Sequence, residues 1–150
     1  MALSRRHFNQ AIAGFVFLSE SRFILGDSPF NSLAEREKIL LDTDIGSDID
    51  DAVALAYLLA NPKAKLLGIT TVTGEAQKRA ALAEHLVGLV PQNVPVLAGY
   101  EAPQHIASRQ PVAQQAVKLN PAVLRALPTT HDPEQAIDFM ANTIYAHPRS

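Results

Sequence analysis

The sequence predicts an α/β fold, a Rossmann-like and mostly parallel sheet flanked by helices, on three observations. Short continuous apolar runs alternate with stretches of helical periodicity. Those runs lack the polar–apolar alternation of a strand with one wet face, so they read as strands covered on both sides. Acidic residues gather where the first run gives way to the first helix, the edge at which open parallel sheets bind ligands. Buried strands separated by helices call for parallel pairing through right-handed crossovers.

Each element follows from local signals. Ile39–Leu41 is the first apolar run and the first strand. Residues Asp50–Ala60 form a helix with acids in its first turn, where the helix dipole favours negative charge, and "NPK" ends it. "KLLGITTVTG", Lys65–Gly74, is rich in β-branched residues and reads as the second strand. Glu75–Val90 has helical spacing at Ala76, Ala80, Leu82, Ala83, Leu86, Val87 and Val90. "VPVLAG", Val94–Gly99, is a third short strand. Residues 100–132 carry several prolines and one helical stretch near Val112–Leu119. A last helix runs through "DPEQAIDFMANTIYAH", with Asp132 as cap, Pro133 in the first turn and Ile137, Met140, Ala141 and Ile144 as the inward stripe. A further strand is expected after this helix, so the pattern reads as cut at "AHPRS".

At 150 residues the chain is about one domain. A formal charge of −2, with no basic run interleaved with aromatics, argues against nucleic acid as a partner. With no cysteine, disulfides, zinc–thiolate sites and thiol nucleophiles are excluded. The first residues, "MALSRRHFNQAIAGFVFLSESRFILG", place Arg5 and Arg6 before an apolar run from Ala11 to Leu18. That resembles a twin-arginine export signal. Residues 1–34 are therefore set apart as a signal segment and linker, and 35–150 as the domain. Export to the periplasm is the expectation, with a cytoplasmic protein the alternative. The apolar run is too short for a stable membrane span.

The segment that bears on chemistry is "KILLDTDIGSDIDDAVALAYLLA", Lys38–Ala60, which places Asp42, Asp44, Asp48, Asp50 and Asp51 within ten positions. Carboxylates this close raise the cost of ionising one another unless water reaches each oxygen or a cation sits among them. Strand alternation puts Asp42 and Asp44 on one side at the strand's carboxyl end. Gly46 lets the chain turn, and Asp50 and Asp51 open the helix. An all-oxygen cluster selects a hard cation, Ca²⁺ or Mg²⁺. An acidic turn solvated by water accounts for one or two of the aspartates only. An EF-hand loop fails, because a strand precedes it and Ser47 and Val53 stand where that loop needs Gly and Glu. A haloacid-dehalogenase-like phosphatase also opens with a strand and D-x-D, but wants Thr or Val where Gly46 stands and leaves Asp50 and Asp51 unexplained.

"ILLDTDIGSDIDDAVALAYLL" closely resembles the N-terminal signature of the inosine–uridine-preferring nucleoside hydrolases, in its longer variant with two extra residues before the Asp pair. The resemblance continues through "LLGITTVTGEAQKRA", "VPVLAG" and "PEQAIDFMANTIYAHP". It implies the fold of that family and hydrolysis of a ribonucleoside to free base and ribose. It further implies that Asp44 binds Ca²⁺ and takes a proton from the attacking water. Asp51 would be a Ca²⁺ ligand, Asp50 would bond ribose hydroxyls, and Asp42 would support the metal cluster. Glu75 stands where many members have a ribose-binding Asn, which makes it a substrate-binding candidate; capping of the next helix is the competing role. Asp48 falls in the two-residue insertion and receives no role. His105 lies near the place of a His-Gly active-site motif that the sequence lacks. Family members are longer, and the remainder supplies further Ca²⁺ ligands and an acid for the leaving base. A non-catalytic, truncated calcium- or ribose-binding fragment is therefore the first alternative function, and the phosphatase the second. The implied partner is a small nucleoside, with homo-oligomer formation through uncovered apolar faces a further possibility.

Overall fold

Residues 36–103 and 105–148 are described by the structure, a computed structural model. The segment read as signal and linker, 1–34, lies outside them. Strands β1 (Glu37–Thr43), β2 (Ala64–Thr71) and β3 (Val96–Ala98) pair in parallel in the order β1-β2-β3. Helix α1 (Ile49–Ala60) joins β1 to β2, and α2 (Ala76–Val87) joins β2 to β3. The α/β expectation holds in its element order and in its parallel pairing.

A bulge sets which residues face which layer. Ile39 pairs with Leu66 but Leu40 pairs with Gly68, so Leu67 is the extra residue on β2. Beyond the bulge, Leu41 and Thr43 share a face with Ile69 and Thr71, while Leu40 and Asp42 share the other with Gly68 and Thr70. On the first face Ile69 is fully buried against Leu55 and Leu59 of α1 and Leu82, Ala83 and Val87 of α2. The second face carries α4 (Glu134–Ala146), whose Phe139 ring lies over Gly68. A Cβ at Gly68 would stand 2.2 Å from Phe139 Cζ, so only glycine admits the ring.

Several expected boundaries move, each for a local reason. The first strand gains residues at both ends; at its start, the Glu37 N–H donates to the Lys63 carbonyl at 2.8 Å. The second stops at Thr71 rather than Gly74, because Thr73 and Glu75 take positive φ of 66° and 60° and turn the chain. Helix α2 ends at Val87, where the Gly88 N–H closes onto the Glu84 and Leu86 carbonyls. The helix expected near Val112–Leu119 is a 3₁₀ turn over Gln114–Lys118. A short helix that the sequence reading did not separate, α3 (Pro121–Ala126), follows it, with the Asn120 side chain accepting from the Ala122 N–H.

Helix α4 begins one residue later than expected, with Pro133 at the N-cap position. The Asp132 carboxylate accepts the Glu134 N–H at 3.1 Å, beside Pro133. Its inward stripe is different in part: Met140 and Ala141 are half-buried as expected, but Ile137 and Ile144 are 42% and 62% exposed, and Ala136 is the buried residue. The contact face is turned by about one residue, or ~100°. The opening above Gly68 selects Phe139, and Met140 Sδ lies 3.5 Å from Thr70 Oγ1, which together fix that rotation. No helix among the described residues is long and apolar enough to cross a membrane.

Candidate functional site

The carboxyl ends of the three strands point to one edge, and the acidic segment folds there. Thr43, the last residue of β1, is buried; its Oγ1 donates to Asp51 Oδ1 at 2.5 Å and accepts the Ile45 N–H at 3.1 Å. The strand end is thereby tied to the first turn of α1. Between them Gly46 takes φ +111°, a conformation that L side chains rarely adopt, as the sequence predicts for a sharp turn here. Asp48 sits just before α1 in extended conformation. Its Oδ2 accepts from Gln110 Nε2 at 2.8 Å, and its carbonyl accepts from Gln115 Nε2 at 2.9 Å. A residue given no role from sequence thus anchors the loop that follows β3.

Asp44 lies just beyond β1 and is half-buried. It lines a pocket of about 300 Å³ together with Thr73 from the end of β2 and Pro103 and Ile106–Gln110 from the loop after β3. Asp50 is exposed and Asp51 half-buried in the first turn of α1. Asp42 is on the face toward α4, where its Oδ1 accepts from Thr70 Oγ1 at 2.7 Å. Asp51 is held from the opposite face through Thr43. Asp42 and Asp51 are therefore anchored by opposite faces of the sheet.

Glu75 is committed within the protein. Its Oε1 meets Lys78 Nζ at 2.5 Å and its Oε2 accepts the Ala113 N–H at 2.8 Å. The hydrogen bond from Lys78 and that from Ala113, with the charges of Lys78 and Arg79, hold its carboxyl below the ordinary value despite partial burial. Glu75 directly precedes α2, but its side chain makes no capping bond there. Of the histidines, His85 and His105 are exposed. His131 is half-buried: Nε2 is 2.8 Å from the Gly99 carbonyl and Nδ1 is 3.0 Å from Gln77 Nε2. Since a carbonyl only accepts, Nε2 carries the proton and Nδ1 receives the amide, so the ring links the chain just after β3 to α2.

The residue that sequence reasoning missed is Arg79. Its side chain is fully buried on the inner face of α2. Nε donates to the Gly74 carbonyl at 2.9 Å and the Thr73 carbonyl at 3.2 Å. Nη1 donates to the Asp44 carbonyl, the Ile45 carbonyl at 3.0 Å and Ser47 Oγ at 2.9 Å. Nη2 donates to the Gln110 carbonyl at 2.7 Å. Burial pulls the guanidinium below its ordinary value, while Asp44, Glu75 and Asp51 pull it back; such a group stays charged. A signal was present in the helical pattern. Arg79 falls between Ala76, Ala80 and Ala83 on the buried stripe, and alanines there leave room for a long side chain.

The oxygen donors of Asp44 and Asp51 suit a hard cation in kind. In number they fall short, since no group of three or more His, Asp or Glu side chains able to hold a metal ion occurs among the described residues. A Ca²⁺ shell takes ~6–8 oxygens, so these two carboxylates make part of one.

The family model described as "Inosine-uridine preferring nucleoside hydrolase" matches residues 39–150. Proteins of that name from Leishmania major and Crithidia fasciculata are 44% identical over 71 residues and 39% identical over 72, covering 44% and 45% of this chain. Uridine nucleosidase 1 from Arabidopsis thaliana is 35% identical over 83 residues, covering 52% of this chain. These alignments span 21%, 22% and 24% of the respective relatives, so the chain matches less than a quarter of each. The matched family is one of nucleoside hydrolases rather than of the phosphatases that share a strand and D-x-D. On the extent of that match, from the first strand onward, the chain belongs to the inosine-uridine preferring nucleoside hydrolase family.

Proposed function

We propose that this chain serves N-ribohydrolysis, cleaving the N-glycosidic bond of a ribonucleoside to free base and ribose with Asp44 as the general base. The observation that carries the reading is Asp44 itself, half-buried in the wall of a pocket at the carboxyl edge of the sheet. Bond cleavage of this type passes through an oxocarbenium-like sugar, and carboxylates nearby stabilise the positive charge that develops. Asp44 would accept the proton of the attacking water. Asp50, exposed at the start of α1, would bond ribose hydroxyls and orient the sugar. Glu75 would reach substrate only by releasing Lys78 and Ala113.

Calcium belongs to the proposal, with Asp44 and Asp51 as its ligands and Asp42 in support from the neighbouring face. The chemistry it would supply is charge, which acidifies water and draws sugar hydroxyls. A second reading, binding of a cation or ribose without turnover, is favoured by the lack of a three-carboxylate group among the described residues.

The test is release of free ribose from inosine and uridine by the chain and by Asp44→Asn, which keeps the side chain's shape and removes the base. Turnover by the parent and a loss of ~100-fold or more in the variant are expected. Equal rates in both would remove Asp44 from the chemistry. No turnover in either, with Ca²⁺ binding retained, would favour the second reading.

A further inference from the structure

We infer that Arg79 is the positioning residue of the acidic loop, clamping three loops at the carboxyl edge of the sheet so that Asp44 is held in the pocket wall. The inference rests on the role proposed above for Asp44 and adds a residue that acts on it from behind.

The geometry is specific. Three residues that line the pocket, Asp44, Thr73 and Gln110, each accept a hydrogen bond from Arg79 through their backbone carbonyls. They come from the loop after β1, the turn after β2 and the loop after β3, segments with no covalent reason to keep a fixed spacing. One planar guanidinium with five N–H donors serves all three, sharing protons among six acceptors. Asp44 is gripped at its own carbonyl and again through Ile45 and Ser47, which leaves its carboxylate free of this clamp. The same side chain places a buried positive charge behind Asp44, Asp51 and Glu75, and so relieves part of their mutual repulsion without occupying the pocket.

Lysine cannot reproduce the clamp. Its ammonium offers three donors from one point, so it reaches some of these acceptors and abandons others. Methionine fills similar space and donates nothing.

The experiment compares the full chain with Arg79→Met, Arg79→Lys and Val87→Ala. Val87 is a buried core residue at the last position of α2, two turns beyond Arg79, and it controls for lost stability. Ca²⁺ affinity is read by calorimetry, and protection of the Ile45, Ala113 and Gln115 amides by hydrogen exchange; the Ala113 and Gln115 amides bond across the clamped segments, and the Ile45 amide closes the turn after β1. Arg79→Met is expected to weaken Ca²⁺ about tenfold or more, Arg79→Lys by less, and Val87→Ala not at all. Exchange at the three amides should quicken about tenfold in Arg79→Met and stay unchanged in Val87→Ala. Wild-type affinity and protection in Arg79→Met, or equal losses in Val87→Ala, would overturn the inference. If the parent chain binds no Ca²⁺, the metal proposed above is wrong, and the exchange comparison alone decides on Arg79. If Arg79→Met does not fold, Arg79→Lys carries the same test: partial loss of protection supports the clamp, and full protection overturns it.

Discussion

Glu75 shows how a residue's partners can displace the role that its position in the chain suggests. Its two carboxylate oxygens are taken by Lys78 and by the Ala113 N–H, and these bonds hold its pKa down. A carboxyl depressed in the folded state contributes stability above its unfolded pKa and loses it as pH falls through the folded one. The stability gap between the parent and Glu75→Gln should therefore be open at neutral pH. It should begin to close below the ordinary value of 4.5 and vanish in stronger acid. Thermal unfolding at a series of pH values measures it; a gap independent of pH would show that the Lys78 and Ala113 contacts do not depend on ionisation. Gly46 and Thr43 act at the same scale, one by a backbone angle, the other by passing a hydrogen bond from the strand to Asp51.

Among the elements, the contact between β2 and α4 is the one most exposed to a single change. Gly68 leaves the gap that Phe139 fills, and a methyl group there would overlap the ring. Gly68→Ala should destabilise the protein by about 1–3 kcal/mol through overpacking, and Phe139→Leu in the same chain should recover part of the loss. Denaturant unfolding of the single and double variants checks this; additive losses would mean that the two residues do not meet. This contact also explains what the sequence revealed and what it hid. The alternation of strands and helices was legible because apolar runs and helical periodicity are local properties. So was the sharp turn at Gly46. Of the three strands, however, only β2 is buried along most of its length, while β1 and β3 are largely half-buried or exposed. The face of α4 was not legible from its own periodicity, since Ile137 and Ile144 make an equally good stripe and only the hole at Gly68 selects Phe139. The end of β2 was hidden for a similar reason: the left-handed turn at Thr73 and Glu75 uses residues that do not ordinarily mark one.

At the scale of the whole molecule, the acidic segment was readable as a site because five carboxylates in ten positions need a reason. The answer is partly internal. Thr70 takes Asp42, Thr43 takes Asp51, Gln110 takes Asp48, and Arg79 lies buried behind Asp44. Those partners are distant in sequence, so spacing alone pointed to a cation and did not show the arginine. What the internal partners leave open is the pocket side of Asp44 and the exposed Asp50, and the central claim is that a cation and ribose meet there. Calorimetric titration of Ca²⁺ into the full chain, with and without ribose, beside Asp44→Ala/Asp51→Ala, tests that claim most directly. Binding that tightens with ribose and disappears in the double variant is the predicted result. A folded parent chain that binds no Ca²⁺, or a double variant that binds it equally well, would contradict the account.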